Sequence, residues 1–153
     1  MTLKTIVRGK VTGKVLKSIQ PINFLGSIDK KTGEITDQKH DLFGKKIADS
    51  ILVFPNGIGS SVGAYTIYSL KSNNVAPAAM ACQKVDLTVA SGCALANIPL
   101  FILSPDEYEN MKDGDEISLG LECQEEKKIQ RPLQEKIPRK FRLNQILLCY
   151  THL

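Results

Sequence analysis

Two serines inside a glycine-flanked turn are the residues of this chain whose types and spacing could do chemistry. They lie in Phe54-Pro55-Asn56-Gly57-Ile58-Gly59-Ser60-Ser61-Val62-Gly63-Ala64-Tyr65, between an apolar run and a stretch of helical period. Gly57 and Gly59 remove side chains where a ligand could approach the main chain. The first N–H groups of the following helix point outward together, and with the helix dipole they favour a carboxylate or a phosphate. Ser60 and Ser61 add hydroxyls at the same mouth. These residues alone leave three readings open: a turn with serine as a helix cap, an anion site, and a nucleophile.

Two familiar patterns can be weighed against the turn. The P-loop, G-x-x-x-x-G-K-[ST], needs a lysine to reach the phosphates, and the turn has none. The nucleophile elbow G-x-S-x-G fits Gly59-Ser60-Ser61-Val62-Gly63 literally, with Ser61 as nucleophile. An esterase then needs an acid and a later histidine. The histidine that follows is His152, at the C-terminus, and the chain of 153 residues is short for that fold.

The elements that must position the turn can be read on either side of it. Thr5 to Arg8, Gly13 to Leu16 and Ile22 to Leu25 are short β-type runs broken by Gly and Pro. Asp29 to Glu34 is a turn in which Gly33 supplies a positive φ. Ile51-Leu52-Val53-Phe54 is a continuous apolar run, the pattern of a strand buried on both faces, and Pro55-Asn56-Gly57 is expected to stop it. Val62, Tyr65, Ile67, Tyr68 and Leu70 predict a helix over Ser61 to Lys71, ended by Ser72-Asn73-Asn74. Ala78 to Cys82 predicts a strand. Asp86 to Asn97 predicts a second helix with Asp86 as N-cap. Ile98 to Leu103 predicts another buried strand. Ser104-Pro105-Asp106-Glu107 is a helix start, with a capping serine, proline at the first helical position and acids in the first turn. Ile117 to Glu122 is a closing strand. This order predicts a layered α/β domain over residues 1–123. Residues 124–153 read as a charged C-terminal extension, with Gln145 to Tyr150 packing back on the body.

Composition bounds the function. The chain is 42% hydrophobic and 24% charged, ordinary for a globular domain. Its apolar runs fall far short of the roughly 20 residues that cross a bilayer. Met1 to Ile6 holds no apolar signal core, so a cytoplasmic protein is expected. The net charge of +4 raises a nucleic-acid partner, but residues 124–153 carry seven Lys/Arg and three Asp/Glu while the body carries thirteen of each. A neutral body with few aromatics is a poor binder of phosphate backbones. The cysteines, Cys82, Cys93, Cys123 and Cys149, show no C-x-x-C spacing, and His40 and His152 are too few for a histidine site. Neither a metal site nor a disulfide is expected.

From about Gly9 to Glu122 the sequence resembles the swivel domain, or small subunit, of the aconitase X family. The resemblance is carried by Ile22-Asn23-Phe24-Leu25-Gly26-Ser27-Ile28-Asp29, Thr32-Gly33, His40 with Gly44, and Ile51-Leu52-Val53-Phe54-Pro55. It continues through Gly57-x-Gly59-Ser60-Ser61-x-Gly63 and Tyr65, then Asn74-x-Ala76-Pro77-Ala78-Ala79 and Ile98-Pro99. Each piece alone is weak, and their order and spacing make the resemblance specific. It implies a three-layer swivelling β/β/α domain and a hydro-lyase. It also implies a heterodimeric partner, a large subunit whose own cysteines hold a 4Fe-4S iron–sulfur cluster, with no cluster on this chain. Within that resemblance Ser60 matches the serine that takes the proton from carbon, and Gly57, Gly59 and Ser61 become substrate neighbours. The implied substrate is (R)-5-phosphomevalonate, dehydrated to trans-anhydromevalonate 5-phosphate in a mevalonate pathway variant. The alternatives are cis-3-hydroxy-L-proline and a non-catalytic anion-binding interaction domain. One departure stands at position 58, where Ile58 replaces a residue that relatives often carry as Lys or Arg. Asp29 and His40 are expected in turn and capping roles, and Asp86 as a cap rather than an acid.

Overall fold

The structure is a computed structural model and describes residues 3–120. The charged extension 124–153 and the segment Gln145 to Tyr150 lie outside the described residues, as does the expected domain boundary at residue 123.

Seven strands form one mixed sheet. They are β1 (Lys4–Val7), β2 (Val11–Lys17), β3 (Ile22–Asn23), β4 (Ile51–Ile58), β5 (Ala79–Lys84), β6 (Leu100–Ile102) and β7 (Glu116–Leu119). Their order is β1-β6-β5-β4-β2-β7, and β3 also pairs with β4. The middle strands β6, β5, β4 and β2 run parallel, and β1 and β7 close the edges antiparallel. β2 divides its length between two neighbours. Val15 to Lys17 pair with β4, while Val11 to Lys14 pair with β7. The sheet thereby curls into a half barrel with helices, the α/β swivel class that the sequence predicts.

Side-chain alternation along the parallel strands sorts the core into two clusters. Leu52, Phe54, Met80, Cys82 and Leu100 face helices α1 (Gly63–Ser72) and α2 (Leu87–Ala96), where they meet Ile67, Leu70, Val89 and Cys93. Ile51, Val53, Ala79, Ala81 and Phe101 face the other way, toward Tyr108 of α3 (Pro105–Asn110) and Leu119 of β7. All four residues from Ile51 to Phe54 are fully buried, as expected of a strand covered on both faces. The long connection after β3 makes its own small pairings, Ile28 with Ile35 and Glu34 with Lys46. It sends Ile28, Ile35, Leu42 and Ile47 into the core on the α1/α2 side.

The helix ends follow local chemistry. Asp86 caps α2, its carboxylate accepting from Val89 N at 2.9 Å, and Asn97 closes the helix in the left-handed region. Ser104 and Glu107 form a reciprocal capping box at the start of α3. Lys17 pins the far end of α3, with Nζ donating to the carbonyls of Tyr108 and Met111 at 2.6 and 2.9 Å.

At the glycine-serine turn two expected boundaries are corrected. Pro55 does not stop β4, which continues to Ile58. The reason is its neighbour. Val53 O still accepts from Ser18 N, but the β2 ladder ends there, so two residues later Pro55 faces a side with no strand to donate to. β3 then takes over that side, pairing Ile22 with Gly57 and Asn23 with Ile58. The helix starts at Gly63 rather than Ser61, because residues 60–62 form a tight turn. In it Gly63 N, Ala64 N and Tyr65 N donate three residues back, to Ser60, Ser61 and Val62 carbonyls.

Candidate functional site

The turn sits where parallel strands finish. β4 ends at Ile58 and β5 at Lys84, and the main chain leaves each strand for a helix on the same face. Ligands of open α/β sheets bind in the crevice outside such carboxyl ends. Ser60 and Ser61 are exposed, and they follow within three residues of a strand whose register is locked by neighbours on both sides. The hydroxyls are thus held by a rigid element while remaining open to solvent.

Gly57 and Gly59 have different reasons to be glycine. At Gly57 a Cβ would stand 2.7 Å from Val89 Cγ2 and 3.1 Å from Asp86 Oδ1, so the strand packs directly on the start of α2. At Gly59 φ is +98°, a conformation that side chains disfavour. A Cβ there would also stand 2.6 Å from Asn23 Oδ1. Gly57 is buried and Gly59 exposed, so of the two Gly59 can meet a ligand directly, while Gly57 sets the shape of the floor.

Ser60 Oγ accepts a hydrogen bond from Val62 N at 3.3 Å. The N-cap position of α1 is Val62, which makes no side-chain capping bond, and the first turn holds no acidic residue. Ser61 therefore does not cap the helix, and Ser60 meets one amide from outside it. The expected cluster of free N–H groups is narrower than the sequence implies. Gly63, Ala64 and Tyr65 amides are taken by the turn's own carbonyls, while those of Ser60 and Ser61 have no acceptor among the described residues. These two amides stand just before α1, whose N-terminal end carries the positive end of the helix dipole.

The remaining residues singled out by sequence divide clearly. Asp86 caps α2 while its carboxylate lies against Gly57. Asp29 holds a turn by accepting from Lys31 N and Thr32 N. His40 is buried, accepts from Leu42 N through Nδ1 and places Nε2 against Pro21 O, so it serves the connection and not the mouth. Cys82 lies beneath the site on β5. Burial, with the Asp86 charge adding to it, pushes its thiol up to about 12, so it is no nucleophile at neutral pH. Among the described residues no group of His, Cys, Asp and Glu could hold a metal ion, and Cys123 lies outside them with Cys149.

Two residues at the mouth gain meaning only from the pairing of strands. Asn23 is paired with Ile58 and touches Gly59. Lys84, exposed at the end of β5, is paired with Asn56, so it brings a cation to the same sheet end two residues from Ile58. No local pattern could reveal either, since their partners are dozens of residues away in sequence. Around the mouth stand exposed apolar side chains, Leu25, Ile58, Val62, Tyr65 and Leu87, the last 79% exposed.

Comparison with known proteins agrees with the geometry. Residues 1–127 match the family described as the aconitase X swivel domain. The phosphomevalonate dehydratase small subunit of Methanosarcina mazei is 48% identical over 115 residues, covering 74% of this chain and 80% of that protein. Its counterpart from Methanosarcina acetivorans is 45% identical over 118 residues, covering 76% and 82%. The crystal structure of holo-form aconitase X from Thermococcus kodakaraensis aligns with a TM-score of 0.74 at 40% identity, over 76% of this chain and 88% of that one. With fold, turn and sequence in agreement, the chain belongs to the aconitase X swivel domain family.

Proposed function

We propose that this chain is the small subunit of a heteromeric hydro-lyase that dehydrates (R)-5-phosphomevalonate to trans-anhydromevalonate 5-phosphate. Similarity to phosphomevalonate dehydratase small subunits supports the substrate. The observation that carries the mechanism is the exposed Ser60 hydroxyl at the end of β4, hydrogen-bonded by Val62 N–H.

In this reading Ser60 Oγ removes the proton from the carbon next to the substrate carboxylate. The electron pair of that C–H bond becomes the new double bond, and the hydroxyl departs from the neighbouring carbon. A 4Fe-4S cluster on the large subunit supplies Lewis acidity toward that hydroxyl. A serine needs help to accept a proton, because its alkoxide is poorly populated in water. The Val62 amide and the positive end of α1 both favour negative charge on Oγ. The Ser60 and Ser61 amides hold an anionic group of the substrate, and Lys84 supplies a cation where Ile58 does not. The rim of Leu25, Ile58, Val62, Tyr65 and Leu87 meets the large subunit, which shuts out water and strengthens every charge inside.

The direct test is reconstitution. The chain is co-produced under anaerobic conditions with the large subunit from the same genome, and each component and the pair are given phosphomevalonate. Dehydration by the pair and by neither component alone is the expected result. Turnover by the isolated chain, or by the pair on cis-3-hydroxy-L-proline in preference to phosphomevalonate, would contradict the reading.

A further inference from the structure

Asn23 lies where it can do more than hold a turn. Its Oδ1 accepts from two main-chain amides, Leu25 N and Gly26 N, both at 3.2 Å. Those two donors fix the orientation of the carboxamide, since an NH2 group in that position could accept from neither. The nitrogen is therefore the end left over. Nδ2 would stand 3.2 Å from a Cβ on Gly59, farther than Oδ1 at 2.6 Å, and 3.1 Å from a Cβ on Gly26, so it lies between the two glycines. Among the described residues no acceptor is paired with it. Asn23 is half-buried, and among the described residues no fully buried side-chain nitrogen or oxygen lacks a partner, so Nδ2 keeps some exposure.

The segment around Asn23 also spans the turn. Asn23 contacts Gly59, and Phe24 Cβ and Leu25 N would stand 3.5 Å from a Cβ on Gly63. Residues 60–62 are thus bracketed by one strand end and the turn after it. Beneath them Phe24 packs edge-on against Phe54, with centroids 5.7 Å apart, which keeps this segment from drifting. Glycine at position 59 lets the Asn23 carboxamide approach the main chain beside the serine.

We propose that the Asn23 Nδ2 amide is a substrate-contacting donor, hydrogen-bonding an oxygen of the anion held at the Ser60 turn. The proposal rests on the reading of that turn as the substrate site. It assigns Asn23 a binding role that its turn-forming Oδ1 does not need, and the two roles can be separated by mutation.

Asn23→Asp keeps an oxygen for both main-chain donors and replaces the amide NH2 by a second oxygen. Asn23→Ser keeps a short acceptor, adds no charge and removes the amide. Both variants are assembled with the large subunit, with thermal midpoint and complex formation measured first, and kcat and KM for phosphomevalonate measured next. The expected result is an intact complex and a KM raised about tenfold to a hundredfold in both, the size of a hydrogen bond to a charged group. Wild-type KM in both variants overturns the proposal. So does a loss confined to Asn23→Asp, which reports charge repulsion in place of a missing donor. Ser60→Ala is run alongside. If it stays fully active, the site reading fails. If it is inactive while Asn23→Ser behaves as wild type, the role of Asn23 alone fails.

Discussion

The amide of Val62 points at the hydroxyl of Ser60, with 3.3 Å between nitrogen and Oγ. The bond spans two residues, the pattern of a serine turn, and it forms before the first residue of α1. The turn over residues 60–62 directs that amide back at Ser60, while the Ser60 and Ser61 amides have no acceptor among the described residues.

The conformation of Gly59 should matter to both stability and chemistry. Gly59→Ala places a Cβ at positive φ and against Asn23. Urea unfolding should show a loss of about 1–3 kcal/mol. Because the displaced main chain carries Ser60, turnover of the assembled enzyme should fall by on the order of a hundredfold, as expected for a catalytic group moved by ~1 Å.

Lys84 is assigned here the cationic role that Ile58 lacks. Lys84→Ala should raise KM for phosphomevalonate about tenfold and leave kcat nearly unchanged, since it removes binding common to substrate and transition state. The wild-type KM should rise with salt more steeply than that of the variant. Steady-state kinetics at two ionic strengths check both points.

Asp86 joins the cap of α2 to the floor of the site. Asp86→Ala should cost about 1 kcal/mol in urea unfolding through the lost bond to Val89 N. It also removes a charge that raises the Cys82 thiol, so the alkaline titration of Cys82 should move to lower pH. The pH dependence of thiol alkylation at Cys82, followed by mass spectrometry in a variant with the other cysteines replaced, measures the shift as a direction.

Alkaline conditions should weaken the fold through its two buried thiols. Cys82 and Cys93 are both pushed from 9.0 to about 12, chiefly by burial. A raised folded value means that their stabilising contribution is complete below pH 9 and is lost as pH climbs toward 12, because the unfolded chain ionises first. Stability should fall by roughly 1 kcal/mol per pH unit per thiol in that window. The slope should be shallower in a Cys82→Ala/Cys93→Ala variant, as urea midpoints between pH 8 and about 11 would show.

Much of this structure is legible locally. The Asp86 cap, the Ser104 capping box and the doubly buried run Ile51 to Phe54 each depend on residues within one turn of helix or one stretch of strand. The strand through Pro55 is not, because it depends on where β2 ends and β3 begins. Asn23 and Lys84 are hidden for the same reason, as their places follow from register with β4. Ser60 is an intermediate case. Local physics makes it one hydroxyl of an anion-friendly turn, and the resemblance spread over a hundred residues distinguishes it from Ser61.

The central claim is that Ser60 is the proton acceptor, and one variant tests it most directly. Ser60→Ala is assembled with the large subunit, its complex verified by gel filtration and its cluster by absorbance, and phosphomevalonate dehydration is then measured. The account predicts an intact, cluster-loaded complex whose turnover falls by at least about a hundredfold, the loss expected for a missing general base. Turnover within a few-fold of wild type in that same complex would contradict it.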